Sequence, residues 1–315
     1  MSDGPDRFKL LAQRVRQTFG NTPLSQAFQD RKAIIGPANF PGTDEGKLAQ
    51  DALTAMESNL DPDPRGLAAL ELMIKIMRPA ALIQQGKLEA LDNKAGEAFP
   101  DWLTFANALK PIEFSIGRID DLSGNGLGTG FLVSDHAVVT NAHVVSFLSR
   151  GTMILTEGQA TINFRREYKE FVQDVCKILA VIKVHQDYDL ALLRIQPLDQ
   201  QGHPALTFAG AATAVNAAVV AVGYPFDDQV RNPLFISGIY KGIFGVKRAA
   251  PGRVVSVSPG EITHDCSTLG GNSGSPLLEM KTAEVAGVHC EGMFMYNNRA
   301  ISVDVLKTFC EAYAN

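Results

Sequence analysis

The hydrophobic pattern of this chain changes period near Pro111, and that change limits the fold more than any other feature. Before it, apolar residues recur every three or four positions, which is typical of amphipathic helices. After it, short runs rich in Val, Ile, Thr and Phe alternate with Gly, Asn and Asp turns, and no strong helical pattern returns until residues 303–313. The sequence therefore predicts a helical domain over residues 1–109 and an antiparallel, mainly β domain over residues 110–315.

The predicted N-terminal helices each carry one apolar face. Thr22 and Pro23 can cap and start one helix, and another helix follows Pro100. Pro64 occupies the first position of a further helix, where no N–H partner is needed. We expect the apolar faces to form the core of a small helical bundle, with a partner-binding face as the alternative. The apolar positions are Phe8, Leu11, Ala12, Val15 and Phe19; Ala49, Ala52, Leu53 and Met56; Leu67, Leu70, Ile74 and Met77; and Trp102, Phe105, Ala106 and Leu109.

Composition excludes some functions. The 315 residues are 45% hydrophobic, which is enough for one or two cores, and the formal net charge is −5. A nucleic-acid-binding protein needs a strongly basic surface, which this balance does not offer. Four basic residues that lie close together in sequence, Lys241, Lys247, Arg248 and Arg253, are expected on a solvated hairpin rather than in a binding patch.

The N-terminal residues 1–7 contain acids and no apolar stretch, so they do not resemble a secretory signal, and we expect a cytoplasmic protein. No apolar run reaches the length of about 18 residues that a membrane helix needs. The glycines of residues 124–130 do not fit a dinucleotide-binding fingerprint, and no acidic loop has calcium-ligand spacing. We therefore predict no cofactor, no metal, no nucleic-acid partner and no membrane partner.

The four cysteines lack close paired spacing. In a reducing compartment they are expected to be buried thiols, with a bridge between Cys266 and Cys290 as the alternative. The four positions are Cys176, Cys266, Cys290 and Cys310.

Three short segments carry chemistry: residues 271–276 (GNSGSP), 138–145 (VVTNAHVV) and 187–193 (DYDLALL). A serine between glycines at a tight turn exposes its hydroxyl beside free backbone N–H groups. Such a hydroxyl needs an adjacent imidazole to take its proton, and a carboxylate that fixes the tautomer of the imidazole. In chain order the segments supply His143, an acid and Ser273.

This order excludes the α/β-hydrolases, in which the serine comes first, within Gly-x-Ser-x-Gly. Together with residues 128–133 (GTGFLV), the three segments resemble the trypsin-like (chymotrypsin-fold) serine peptidases, and in particular the bacterial branch that includes the glutamyl endopeptidases. The resemblance covers roughly the last two thirds of the chain. It implies two six-stranded antiparallel β-barrels with His143 and Asp189 on the first, Ser273 on the second and the site in the cleft between them.

The resemblance also implies the role of each residue. The acid lies immediately before the LALL strand, which favours Asp189 over Asp187. Ser273 attacks a peptide carbonyl, His143 transfers its proton, and Asp189 stabilises the imidazolium. The N–H groups of Gly271 and Ser273 form the oxyanion hole.

Residue 272 is asparagine, whereas zymogen-activated relatives carry an aspartate that pairs with a newly cut N-terminus. The sequence therefore predicts a site that assembles without N-terminal cleavage. The resemblance implies four positions of the substrate pocket. Ser267 stands where trypsin has an aspartate, which argues against a preference for Arg or Lys in the substrate. Thr268 and His289 match positions that the glutamyl endopeptidases use to hold an acidic side chain of the substrate. Glu291, in contrast, would repel an acidic side chain.

The sequence therefore predicts a serine endopeptidase acting on a protein or peptide substrate, with a helical regulatory or adaptor domain at residues 1–109 that also offers a surface for a protein partner. The alternative, from a different class, is a catalytically inactive two-barrel scaffold that binds proteins. Recruitment of the protease to a partner by the helical domain is a third hypothesis, which rests on architectural analogy alone.

Overall fold

A computed structural model describes residues 12, 15–16, 19–35, 45–58, 60–76, 78–199, 201–227, 239–292 and 298–313. The predictions for residues 1–11 and for Met77 lie outside these ranges. Two closed six-stranded antiparallel barrels follow an N-terminal part that contains helices and one hairpin. The predicted fold class, mainly β with N-terminal helices, is confirmed.

The N-terminal part buries the apolar faces that the helical period predicts. In the helix Glu45–Glu57, Ala49, Ala52, Leu53 and Met56 are buried, and in the helix Trp102–Leu109 the same holds for Trp102, Phe105 and Leu109. The elements are α1 (Leu24–Ile35), α2 (Glu45–Glu57), α3 (Pro64–Ile76), β1 (Ala81–Gln84), β2 (Lys87–Leu88), α4 (Asn93–Ala98) and α5 (Trp102–Leu109).

The β1–β2 hairpin corrects the expectation that the chain is helical throughout residues 1–109. Gln85 and Gly86 form its two-residue turn, with φ values of 51° and 71°. Positive φ at both positions matches the twist of a tight hairpin. Strand β1 also pairs with the second barrel, where Ala81 lies opposite Ala249. The segment is a strand because of this partner, which is distant in sequence.

The first barrel is closed in the order β3-β4-β5-β8-β7-β6, and every pairing is antiparallel. Its interior is aliphatic, with Leu132, Val138 and Leu193 fully buried. The elements are β3 (Ile116–Asp121), β4 (Gly126–Ser134), β5 (Ala137–Thr140), α6 (Ala142–Leu148), β6 (Ala160–Asn163), β7 (Val175–Val184) and β8 (Ala191–Ile195).

The second barrel runs β10-β9-β12-β13-β14-β11 and closes through pairing of β11 with β10. The C-terminal helix predicted over residues 303–313 is confirmed as α7. The elements are β9 (Ala218–Gly223), β10 (Arg248–Ser258), β11 (Glu261–His264), β12 (Pro276–Glu279), β13 (Val285–Gly292), β14 (Asn298–Ser302) and α7 (Val303–Cys310).

The hydrophobic cores cross the predicted domain boundary. One buried cluster joins Leu24, Leu53 and Leu70 of the helices to Val219 and Leu269 of the second barrel. The N-terminal helices therefore pack directly on the barrel that carries Ser273. None of the described helices combines the length and the apolar character that a bilayer crossing requires.

Two of the basic residues expected on a solvated hairpin are buried instead. Lys247 is 0% exposed and donates to the carbonyls of Glu113 and Phe164, both at 2.7 Å. Arg248 is 2% exposed and donates to the carbonyls of Ala80 and Tyr240. The expectation was wrong for these two because backbone carbonyls from distant segments satisfy their donors.

Candidate active site

His143 and Asp189 lie at the ends of two neighbouring strands of the first barrel. β5 ends at Thr140, which is paired with Ala191 at the start of β8, so the residues just outside these ends are brought together. His143 Nδ1 is 2.6 Å from Asp189 Oδ2, and the His143 backbone N–H donates to Asp189 Oδ1 at 2.9 Å. Both carboxylate oxygens are thus used to orient one histidine.

The two candidate acids differ in their contacts with the histidines. The hydrogen-bond partner of His143 is Asp189, whereas Asp187 uses its N–H to donate to His185 Nδ1 at 3.1 Å. Asn141, whose role the sequence did not show although it lies in the TNAH motif, donates from Nδ2 to the Asp189 carbonyl at 2.7 Å. Asn141 thereby fixes the backbone that presents the acid.

Ser273 lies in a turn that needs glycine at residues 271 and 274. Gly271 and Gly274 have φ values of +89° and +85°. A Cβ at Gly271 would overlap the Tyr224 carbonyl oxygen and lie 2.7 Å from the Phe226 ring. The turn therefore needs glycine for backbone conformation and for space.

Thr129 of β4 holds this turn against the first barrel. Its backbone N–H donates to the Ser273 carbonyl at 2.8 Å, and its hydroxyl donates to the Gly271 carbonyl at 2.8 Å. The sequence showed Thr129 only as part of the GTGFLV motif. These contacts fix the position of the serine turn relative to the barrel that carries His143.

Hydrogen bonds to the Gly270 and Asn272 carbonyls fix the orientation of two peptide planes in the turn. Phe226 N–H donates to the Gly270 carbonyl at 2.7 Å, and Ser275 N–H donates to the Asn272 carbonyl at 2.9 Å. Because the C=O and N–H of a trans peptide point in opposite directions, the N–H groups of Gly271 and Ser273 are turned away from these partners. Neither N–H donates to a protein group among the described residues.

A cavity of about 540 Å³ brings the predicted side chains together. Residues 268–270 and Ser273 line one side of the cavity, whereas Ser267 and Gly271, which lie in the same stretch of chain, are not lining residues. No hydrogen bond joins Ser273 Oγ to His143 among the described contacts; such bonds commonly tighten only when substrate is bound. The lining includes His143, Asp187, Asp189, Thr268, Ser273, His289, Cys290, Glu291 and Arg299.

His289, which lines the cavity, contacts a second histidine that lies behind it. His289 is buried, and its Nδ1 is 3.1 Å from Nε2 of the fully buried His264. Burial, with a smaller contribution from His143, lowers the pKa of His289 to about 3, so its imidazole is neutral. Thr268 Oγ1 is buried and makes no hydrogen bond to the described residues. The sequence identified His289 and Thr268, but not His264.

Glu291 is paired with Arg299, a neighbour that the sequence did not show. Arg299 Nη1 is 3.0 Å from Glu291 Oε2, and Arg299 Nη2 pairs with Glu261. The hydrogen bond that Arg299 donates to Glu261 raises the pKa of Arg299 above its ordinary value. Glu291 therefore belongs to an ion-pair network of three side chains that line the cavity.

All four cysteines are free thiols, and Cys266 and Cys290 are not bridged. Burial raises the pKa of Cys290 to about 12, so this cavity residue is a neutral thiol. The described residues contain no group of three or more His, Cys, Asp or Glu side chains arranged to hold a metal ion.

The fold and the site define a two-barrel protein in which a histidine–carboxylate pair on the first barrel and a serine turn on the second line one cavity. Residues 128–288, about half of the chain, match the trypsin-like peptidase domain. The chain belongs to the trypsin-like peptidase family.

Curated relatives are glutamyl endopeptidases. The protein of Staphylococcus epidermidis is 28% identical over 191 residues, which cover 58% of this chain and 60% of that protein. The protein of Staphylococcus aureus strain MW2 is 25% identical over 193 residues, covering 59% and 53%. The chain thus spans less than two thirds of these relatives. Among solved structures, a serine endoprotease from Yersinia pestis has a TM-score of 0.49 at 16% identity, over 66% of each chain.

Proposed function

We propose that this chain is a serine endopeptidase whose catalytic residues are His143, Asp189 and Ser273. The observation that carries the proposal is the oriented His143–Asp189 pair, which shares one cavity with the hydroxyl of Ser273. Ser273 attacks the peptide carbonyl while His143 accepts its proton and then returns it to the leaving amine. Water repeats the cycle on the acyl-enzyme, and Asp189 stabilises the imidazolium in both halves.

The oxyanion of each tetrahedral intermediate is held by the N–H groups of Gly271 and Ser273. Their peptide planes are already fixed by Phe226 and Ser275, so no donor has to reorient during the reaction. Loss of one such donor costs roughly 3 kcal/mol of barrier.

The proposed substrate preference is an acidic residue before the scissile bond (P1). In the proposed tautomer, His264 Nε2–H donates to His289 Nδ1. The neutral His289 then carries its own proton on Nε2, where a substrate carboxylate can accept it. The unpaired Thr268 hydroxyl supplies a second donor. Repulsion from Glu291 is reduced by Arg299. The identity of the curated relatives is consistent with this preference.

The site is proposed to be competent in the uncleaved chain. Asn272 is 4% exposed and neutral, and its Nδ2 donates to the Leu269 carbonyl at 3.3 Å, so the position requires no buried ammonium partner. Residues 1–109 are proposed to regulate or target the protease, and to offer a surface for a protein partner. The free thiols support a reducing compartment such as the cytoplasm.

A fluorophosphonate probe tests the proposal on intact protein. We expect covalent labelling of the wild type and none of Ser273→Ala, without any prior N-terminal cleavage. Absence of Ser273-dependent labelling would favour the inactive, protein-binding scaffold. Sequencing the new termini produced from a peptide library then measures P1 preference directly.

A further inference from the structure

Arg78, in the connection between α3 and β1, is buried against the wall of the candidate substrate pocket, with 3% of its surface exposed. Its guanidinium forms an ion pair with Asp265, and its Nη1 is 3.4 Å from the Asp265 carbonyl. Its own carbonyl accepts the Ser267 hydroxyl at 2.8 Å. One N-terminal residue thus holds both ends of the segment 265–267.

This segment leads directly into the working part of the site. Thr268 and Gly270 line the cavity, and Ser273 follows on the same turn. The Asp265 carboxylate also accepts the Arg253 N–H at 2.7 Å, which ties Arg78 and the segment to β10. The Ser267 hydroxyl therefore points to the N-terminal part, which explains why it does not line the cavity.

A second route connects the same pieces. Arg248 donates to the Ala80 carbonyl and, at 2.6 Å, to the Tyr240 carbonyl. The Tyr240 hydroxyl in turn donates to the Ser267 carbonyl at 3.0 Å. Residues 78–80 and the pocket wall are thus linked in a closed circuit of buried hydrogen bonds.

Burial makes this circuit sensitive to loss of either partner. The Arg78 and Asp265 side chains are each 4% exposed, so removal of one leaves a charge of the other inside the protein. A movement of the wall relieves that cost. Helices α1–α3 share a core with Leu269 of the wall, so their docking and the shape of the wall depend on each other.

We propose that Arg78 is a positioning residue for the substrate pocket, through which the docked N-terminal part keeps the wall 265–270 in its binding shape. This inference rests on the proposed peptidase function and names the contact by which the N-terminal part supports it. Arg78 acts through Asp265 and Ser267 on Thr268 and touches no substrate.

The test uses the whole 315-residue chain. One peptide substrate carries the P1 residue that a peptide library selects, and a second peptide with alanine at P1 serves for comparison. Arg78→Met is expected to lower the selectivity ratio of kcat/KM between the two peptides about tenfold, mainly through KM. Ser267→Ala, which removes one hydroxyl, should lower it about threefold, and Arg78→Lys should recover part of the loss.

Two controls separate positioning from general stability. Arg16→Met removes the exposed Arg16–Glu57 ion pair of the N-terminal helices, and Ile162→Ala creates a cavity in the first barrel. Both should leave the selectivity ratio within about twofold of wild type even where the Tm falls. The inference is overturned if Ser267→Ala leaves the selectivity ratio unchanged and the Arg78 variants lower the Tm without changing that ratio. The peptidase assignment stands in that case. A wild type that fluorophosphonate does not label overturns both.

Discussion

The backbone N–H of Thr129 donates to the carbonyl of Ser273 at 2.8 Å, and this bond joins a strand of the first barrel to the serine turn of the second. The Thr129 hydroxyl adds a bond to Gly271 and accepts the Tyr224 N–H at 3.2 Å. The site is assembled from two barrels, so its geometry depends on such contacts between them.

Thr129→Val keeps the shape of the side chain but removes the bond to the Gly271 carbonyl. We expect kcat/KM to fall about 10- to 100-fold, because the turn and its N–H donors lose alignment. Steady-state kinetics on one peptide substrate checks this. Thr129→Ser keeps the hydroxyl and should stay within about threefold of wild type; equal losses in the two variants would contradict the hydrogen-bond explanation.

Gly271→Ala is expected to abolish detectable Ser273 labelling. The added Cβ would overlap the Tyr224 carbonyl, and φ of +89° is unfavourable for alanine, so the turn must move. Gly270→Ala is the matched control, because a Cβ there meets nothing within 4 Å. Fluorophosphonate labelling rates compare the two variants. A labelled Gly271→Ala protein at the wild-type rate would show that the turn is not sterically fixed.

The sequence predicted those site residues that carry their own short motif. His143, Asp189 and Ser273 each lie within a short local pattern of glycines, strand residues or small polar residues. The barrels follow from period-two strands between turns. Thr268 and His289 could be found because the resemblance supplied positions for them.

Residues that act through distant contacts could not be predicted in this way. Thr129 and Gly271 are 142 residues apart, and Arg78 and Ser267 are 189 apart. In neither pair does the sequence around one residue indicate which distant residue it will contact. The same cause explains the two wrong expectations, since the β1 strand and the buried Lys247 both depend on partners supplied only by the folded chain.

Selectivity for Glu over Gln at P1 is expected to be independent of pH between about 5.5 and 8. Burial lowers the pKa of His289 to about 3, so its imidazole stays neutral in the free enzyme over this range. The substrate carboxyl, with a pKa of about 4.3, also stays ionised. The ratio of kcat/KM for paired Glu and Gln peptides measures this.

The control for this prediction is His289→Gln, which should reduce the ratio at every pH in that window. A wild-type ratio that rises several-fold as the pH falls through about 6.5 would mean that an imidazolium recognises the substrate, contrary to the buried neutral pair with His264.

Glu113 is expected to make the folded protein less stable as the pH rises from about 5 to 7.5. Burial raises the pKa of Glu113 to about 7, with Lys247 opposing the shift and Glu167 adding to it. Below the unfolded pKa of about 4.3 both states hold the proton; between the two values only the folded state does, so stability is lost as pH rises through the folded pKa. Glu113→Gln removes this dependence.

Urea unfolding of wild type and Glu113→Gln at several pH values measures the effect. Between pH 5 and 7.5, the free energy of unfolding of Glu113→Gln should increase relative to that of wild type by on the order of 2 kcal/mol. Glu157→Gln, at an exposed carboxylate paired with Lys177 at 3.0 Å, should show no comparable trend. Parallel pH profiles for wild type and Glu113→Gln would show that the Glu113 carboxyl ionises in the folded protein as it does in the unfolded chain, despite its burial beside Lys247 and Glu167.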